Sequence, residues 1–300
     1  MIVELPVTTT ISAQNSGPTV AILGGVHGDE YEGVIAALSL AKNLPNELIS
    51  GRVLITSPAH PASWNSGKRN SPIDGADLAR VFPGKPDGSA TEQVAHMLTE
   101  QVIKGADVLI DLHSAGTNFD MPFLCGFNGG THRWGKESER LAKTFSAKFT
   151  WQHDGTPAVG RSLTVAYDLK IPAIYVEGHG GRSIRYSDLH GYLDGVRRVL
   201  HGLNMLADAP QTTLDSIRVF GDGNTDKGLV APTEGFLVTH LNVGERVSRD
   251  EVIAEIIDIS GVVLSTVRAT RNSYIMLLRR EAKISAGDTI CITADEHGQC

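Results

Sequence analysis

The chain has 300 residues, 41% of them apolar and 20% charged, with a formal net charge of -7. That is enough apolar chain for a sizeable core in one large or two modest domains, and the acidic balance argues against a nucleic-acid or anionic-membrane partner. No apolar run approaches the roughly 18 residues of a spanning helix. The start MIVELPVTTT lacks the basic and apolar segments of a secretory signal, and the unpaired spacing of Cys125, Cys291 and Cys300 fits reduced thiols in a cytoplasmic protein. A homo-oligomer is compatible with the composition.

The first clear element is Thr19–Leu23, a short apolar run ending in two glycines, which reads as a buried strand entering a tight turn. Helical spacing follows through Val34, Ala37, Leu38 and Ala41. His27 and Glu30 thus sit where strand hands over to helix, three residues apart; on a first helical turn that spacing points both side chains the same way. Imidazole and carboxylate are both zinc ligands, and a catalytic zinc takes three protein ligands and a water. Alone the pair is weak evidence, because an acid at a helix start is favoured by the helix dipole in any protein.

Arg52–Ser57 and Asp107–Leu112 read as buried strands, and Thr91–Ile103 as a helix. Arg133–Phe149 carries an amphipathic helical pattern through Leu141, Phe145 and Phe149. Ile171–Val176 is a further apolar strand, followed by a helix over Asp188–Leu206 with Leu189, Leu193, Val196, Leu200 and Leu203 on one face. This alternation predicts an α/β domain whose mostly parallel mixed sheet is flanked by helices, with ligands at the carboxyl ends of the strands.

Three of those strand ends carry chemistry. His27 follows the first, His113 follows Asp107–Leu112 in DLHSAG, and Glu177 follows Ile171–Val176 in YVEGHGG. A single His or Glu at a strand end is most often only solvated, but with Glu30 these make four such groups at one rim, which are harder to dismiss. His60, His153 and His179 also fall near strand ends, so the pattern alone leaves the ligand set open. Between the strands lies Arg69–Gly84, RNSPIDGADLARVFPG, a turn-rich stretch that reads as a long ordered loop of the kind that is often functional. Its Arg69 and Arg80 could grip a carboxylate, or could be ordinary surface arginines.

After Met205 the character changes. Ala207–Leu214 is a polar connector, and the rest runs in short alternating segments broken by Gly and Asn. The expected division is residues 1–209 as the catalytic unit and 210–300 as a small all-β domain. The stretch GFLVTHLNVGERVSRDEVIAEI resembles the hairpins of biotinyl and lipoyl carrier domains but has no Lys on a hairpin tip beside Met for attachment. GGVHGD and GFNGGTH have neither the P-loop Lys nor the dinucleotide glycine spacing, so a nucleotide is not expected.

Taken together, GGVHGDEYEG, RNSPIDGADLARVFPG, DLHSAG and IPAIYVEGHGG resemble the succinylglutamate desuccinylase/aspartoacylase family of the zinc carboxypeptidase superfamily, over nearly the whole length. The resemblance implies a zinc carboxypeptidase-like fold with Zn2+ held by His27, Glu30 and His113. It also implies Glu177 as general base and acid, Arg69 polarising the scissile carbonyl, and Arg80 binding a substrate carboxylate. The expected activity is hydrolysis of the amide of an N-acyl amino acid or a related small carboxylate-bearing amide. The alternatives are a zinc carboxypeptidase acting on peptide C-termini and a metal-free binding protein on the same scaffold. One departure stands out: the family usually reads D-L-N-R where this chain has Ala79 before Arg80.

Overall fold

The computed structural model describes residues 3–211, 215–221 and 228–297. Thr212–Leu214, the end of the expected connector, and Cys300 lie outside the described residues. The chain opens with β1 (Thr8–Ser12) and β2 (Asn15–Gly24), then α1 (Tyr31–Asn43), β3 (Ser50–Thr56), α2 (Pro61–Ser66) and α3 (Ala90–Leu98). Next come β4 (Val108–Ser114), β5 (Phe119–Asp120), β6 (Leu124–Asn128), α4 (Arg133–Phe145), β7 (Phe149–His153), α5 (Ser162–Asp168), β8 (Ala173–Gly178) and α6 (Tyr186–Gly202). Beyond residue 210 the described elements are all strands: β9 (Ile217–Gly221), β10 (Leu229–Val230), β11 (Gly235–Thr239), β12 (Arg246–Val247), β13 (Val252–Ile257), β14 (Val263–Arg268), β15 (Ser273–Arg279), β16 (Lys283–Ile284) and β17 (Thr289–Asp295).

The larger sheet runs β1-β3-β2-β4-β8-β6-β7-β9-β17-β15-β12, with β5 paired to β15 and β10 to β17. Strands β3, β2, β4 and β8 are mutually parallel; β6 reverses direction against β8, and β7 and β9 run parallel to β6. Helices cover both faces. On one side Leu40 of α1, Leu141 and Phe145 of α4, and Val196 and Leu200 of α6 pack on Ile110, Leu112, Ile174 and Val176. On the other, Val94 and Leu98 of α3 and Val165 of α5 pack on Leu23 and Leu109. This is the mixed, mostly parallel sheet between helices that the strand and helix alternation predicts, with a small antiparallel sheet, β14-β13-β11-β16, added after residue 210. Among the described residues no helix is long and apolar enough to cross a membrane.

The expected helix over Arg133–Phe149 is too long. It stops at Phe145 because Ser146 turns into the left-handed region at φ 59, and Phe149 instead begins β7. The apolar spacing that suggested one helix joins two elements whose buried residues happen to continue the same period. Similarly, α6 ends at Gly202 and not at Leu206.

The strands after residue 210 are tied to the functional edge of the sheet. Leu278 and Arg279 of β15 pair with Asp120 and Phe119 of β5, just past the carboxyl end of β4. At the opposite side of that edge α1 lies hard against β4. A methyl group on Gly33 would fall 2.5 Å from the carbonyl oxygen of Leu112, so glycine sets how closely the helix approaches the strand. Gly33→Ala is therefore expected to lower stability by ~1–3 kcal/mol, the usual cost of overpacking, seen as a lower urea midpoint at unchanged slope. A wild-type midpoint would mean that the helix can lift away at no cost.

Candidate active site

The site forms where β2, β4 and β8 end side by side. His113 and Glu177 lie within β4 and β8, not after them, and they are directly in register, as are Asp111 and Tyr175 two residues earlier. Side chains two apart on a strand share a face, so these four project from one side of the sheet, while Leu112, Ile174 and Val176 face the core on the other. His27 is in the turn after β2, and Glu30 is the N-cap of α1 with φ -105 and ψ 89, not a residue of its first turn. The two still meet, because the turn folds back on the helix start: Nδ1 of His27 is 2.6 Å from Oε1 of Glu30.

Glu30 is buried and its other oxygen, Oε2, is 2.9 Å from Nδ1 of His113 and accepts the backbone N–H of Ser114 at 3.2 Å. Each imidazole meets a second carboxylate through Nε2, His27 at 3.0 Å from Asp77 Oδ1 and His113 at 3.2 Å from Asp111 Oδ2. Burial alone would raise the Glu30 pKa, but the charges of His27 and His113 outweigh it and hold the carboxyl well below its ordinary range. Burial would likewise lower that of His113; the Asp111 and Glu30 carboxylates instead keep it well above 6.5.

This donor set fits a cation. A neutral imidazole has one N–H and so can donate to only one of two flanking carboxylates. With Nε2–H given to Asp77 and Asp111, a cation can take the place of the proton that each Nδ1 shares with a Glu30 oxygen. Ligand atoms of His27, Glu30 and His113 lie within 4.8 Å of one another. Two imidazoles and a carboxylate, with carboxylates orienting the far ring nitrogens, is a donor chemistry that zinc accepts.

Asp77 links the rest of the site to this cluster. Its Oδ1 also accepts the backbone N–H of Ala79 at 2.9 Å, capping the short turn Leu78–Arg80, and its Oδ2 accepts from Nε of Arg69 at 3.0 Å. The Arg69 guanidinium is thereby held 3.6 Å from Glu30 Oε1. Arg80 donates to the carbonyl of Ala79 at 3.0 Å, and Ala79 itself is buried. The long loop is ordered as expected, stapled to α3 by Asp74, which accepts both the N–H and the hydroxyl of Thr91.

One cavity of about 390 Å3 is lined by His27, Glu30, Arg69, Arg80, His113 and Glu177, bringing all six sequence-derived candidates together. Of the three further histidines, only His153 lines it; His60 is buried beside Thr91, and His179 pairs with Asp120 at 3.1 Å. Glu177 is half-buried, with Oε2 buried and without a hydrogen-bond partner among the described residues. Burial pushes its pKa up to about 8, with Glu30 adding to the rise and His113 opposing it.

A model of the succinylglutamate desuccinylase/aspartoacylase catalytic domain matches residues 16–203. The N-α-acetyl-L-2,4-diaminobutyric acid deacetylase of Halomonas elongata is 32% identical over 98% of this chain and 86% of its own length. The chain belongs to the succinylglutamate desuccinylase/aspartoacylase family. Its fold recurs in a succinylglutamate desuccinylase/aspartoacylase from Rhodobacter sphaeroides (TM-score 0.87, 25% identity, 97% of this chain and 89% of that one). The product-bound ectoine utilization protein EutE (DoeB) from Ruegeria pomeroyi has the same fold (TM-score 0.87, 24% identity, 96% and 88%).

Several cavity residues escape a reading of the sequence. Asp77 and Asp111 stand inside the quoted motifs, and the period-two alternation from His113 points to Asp111, but nothing in the spacing ties Asp77 to His27. Tyr175 is hidden in an apolar strand, and Arg161 and Ser162 lie in a stretch without a motif. Leu277 and Ile292, from β15 and β17, complete an apolar wall of the cavity.

The cluster makes a direct prediction for this family member. Zinc should bind at about one ion per chain, as in a mononuclear site, and His113→Ala should abolish it. Asp77→Asn and Asp111→Asn, which leave the ligands in place, should weaken zinc ~10–100-fold in competition with a chelator. Full occupancy in His113→Ala would refute the ligand set.

Proposed function

We propose that this protein is a zinc-dependent deacylase that hydrolyses the amide bond of a small N-acyl amino acid. The observation that carries the reading is the in-register pairing of Glu177 with His113 beside the His27–Glu30–His113 cluster. A carboxyl oxygen without a partner among the described residues thus lies next to three residues that could hold a metal. A zinc ion there would supply a Lewis acid for the amide carbonyl and bring the pKa of water from 15.7 to about 7.

The chain's own groups divide the remaining work. Glu177 accepts the proton of the attacking water and returns it to the departing amine nitrogen. Burial raises its pKa and the positive charge of a bound cation would oppose that rise, which suits a carboxyl that takes up and gives back a proton. Arg69, fixed by Asp77 beside Glu30, offers a positive charge where the carbonyl oxygen gains negative charge. Arg80, on the turn that Asp77 caps, is placed at the cavity wall to meet a carboxylate. A volume of about 390 Å3 suits a small molecule. The deacetylase relative from Halomonas elongata makes acetylated diamino acids the first substrates to try.

Glu177→Gln should retain zinc and lose ~10²–10⁴ in kcat, the range of a general acid–base contribution. Loss of zinc in that variant would make Glu177 a ligand. The substrate class is tested by kcat/KM over a panel of N-acyl amino acids against dipeptides. Preference for dipeptides would make the protein a carboxypeptidase, and turnover of neither would leave a binding protein.

A further inference from the structure

Two residues before Glu177, Tyr175 projects from the same face of β8, in register with Asp111 of β4 and Gly126 of β6. Its ring lies across β6: a Cβ on Gly126 would fall 2.0–2.4 Å from the Tyr175 ring and hydroxyl, so glycine makes the space for it. The hydroxyl reaches Nε2 of His153 on β7 at 2.7 Å, with the rings 5.8 Å apart and 21° from parallel. His153 is 4% exposed, and both residues line the cavity together with Arg161. The catalytic scheme uses neither. A packing role at this position would be met by Phe, without a hydroxyl to desolvate and a buried histidine to hold it.

We propose that the Tyr175 hydroxyl, held by His153, is a specificity-determining contact that hydrogen-bonds a carboxylate of the substrate on the Arg161 side of the cavity. With Nε2–H of His153 donating to the phenol oxygen, the Tyr175 O–H is left to donate into the cavity. Arg161 supplies the charge that makes an anion the preferred acceptor there. The inference rests on the deacylase reading only for where the scissile amide lies. The carboxylate belongs to either the amine or the acyl portion of the substrate, and the probes separate the two.

The test is calorimetric binding to the zinc-loaded protein, wild type against Tyr175→Phe. The amine-side probes are L-2,4-diaminobutyrate and its carboxamide; the acyl-side probes are succinate and its monoamide. Tyr175→Phe should weaken one acid ~10- to 100-fold, the value of a charge-assisted hydrogen bond, and leave the matching amide within about twofold. The acid affected names the portion. In turnover the same loss should appear in KM, with kcat changed less than about threefold. His153→Phe should weaken the same acid, and should add nothing to Tyr175→Phe if the two act as a unit. Equal weakening of acid and amide would make Tyr175 a packing residue and overturn the proposal, as would no weakening of either acid. A wild-type protein that binds in this pattern but cleaves no acyl amino acid would support the contact while removing the deacylase reading.

Discussion

A buried carboxylate facing two imidazole nitrogens is the constraint around which the site is built. Glu30 has no water to solvate it, and its oxygens lie 2.6 and 2.9 Å from His27 and His113. An isolated ion so placed would be costly, so everything that touches it must neutralise or fix it. The N-cap position does part of this by putting Glu30 at the positive end of α1. The Ser114 N–H does more, and Gly33 lets α1 approach β4 closely enough for both to reach. Asp77 and Asp111 then bring the carboxylates at the cluster to three, with the two imidazoles, Arg69 and Arg80 held against them.

The sheet explains how so polar a cluster coexists with a large core. β4 is buried along its length and β8 is half-buried at Tyr175 and Glu177, and each alternates between two environments. Ile110, Leu112, Ile174 and Val176 meet the helices α1, α4 and α6, while Asp111, His113, Tyr175 and Glu177 face the cavity. A one-residue slip of β8 against β4 would send Glu177 into the helix layer and Val176 into the cavity. Cavity lining and core packing are thus fixed by the same register.

Much of this was legible in the sequence because the site residues stand at strand ends and in compact motifs. The strands Thr19–Leu23, Asp107–Leu112 and Ile171–Val176 were visible as apolar runs, and the chemistry followed each of them. Boundaries were less visible. Phe149 fits the helical period of Leu141 and Phe145 although Ser146 has already ended the helix, since periodicity carries no information about a left-handed turn. Tyr175 reads as one more apolar residue in a buried strand, and its partner His153 is 22 positions away on a strand whose neighbours could not be read from pattern. Asp77 shows the same difficulty: its contact with His27 spans 50 positions and arises from a loop with no period at all.

The distribution of polar groups around the cavity gives Ala79 a physical context. An Asn there would offer a donor and an acceptor beside Arg80; Ala offers neither, and it is buried with Leu78 and Phe82 in the apolar layer beneath the loop. The cavity wall at that point is therefore apolar, with Arg80 at its edge. Leu277 and Ile292 extend an apolar lining from the strands after residue 210. Hydrogen-bonding capacity is found instead on the strand side, in Tyr175, His153 and Arg161, whose positions are set by β7, β8 and the start of α5 and not by the loop. Groups held on strands are placed more tightly than groups on a loop, and Arg69 and Arg80 are carried by a loop that Asp74 ties to α3 and in which Asp77 meets both guanidiniums.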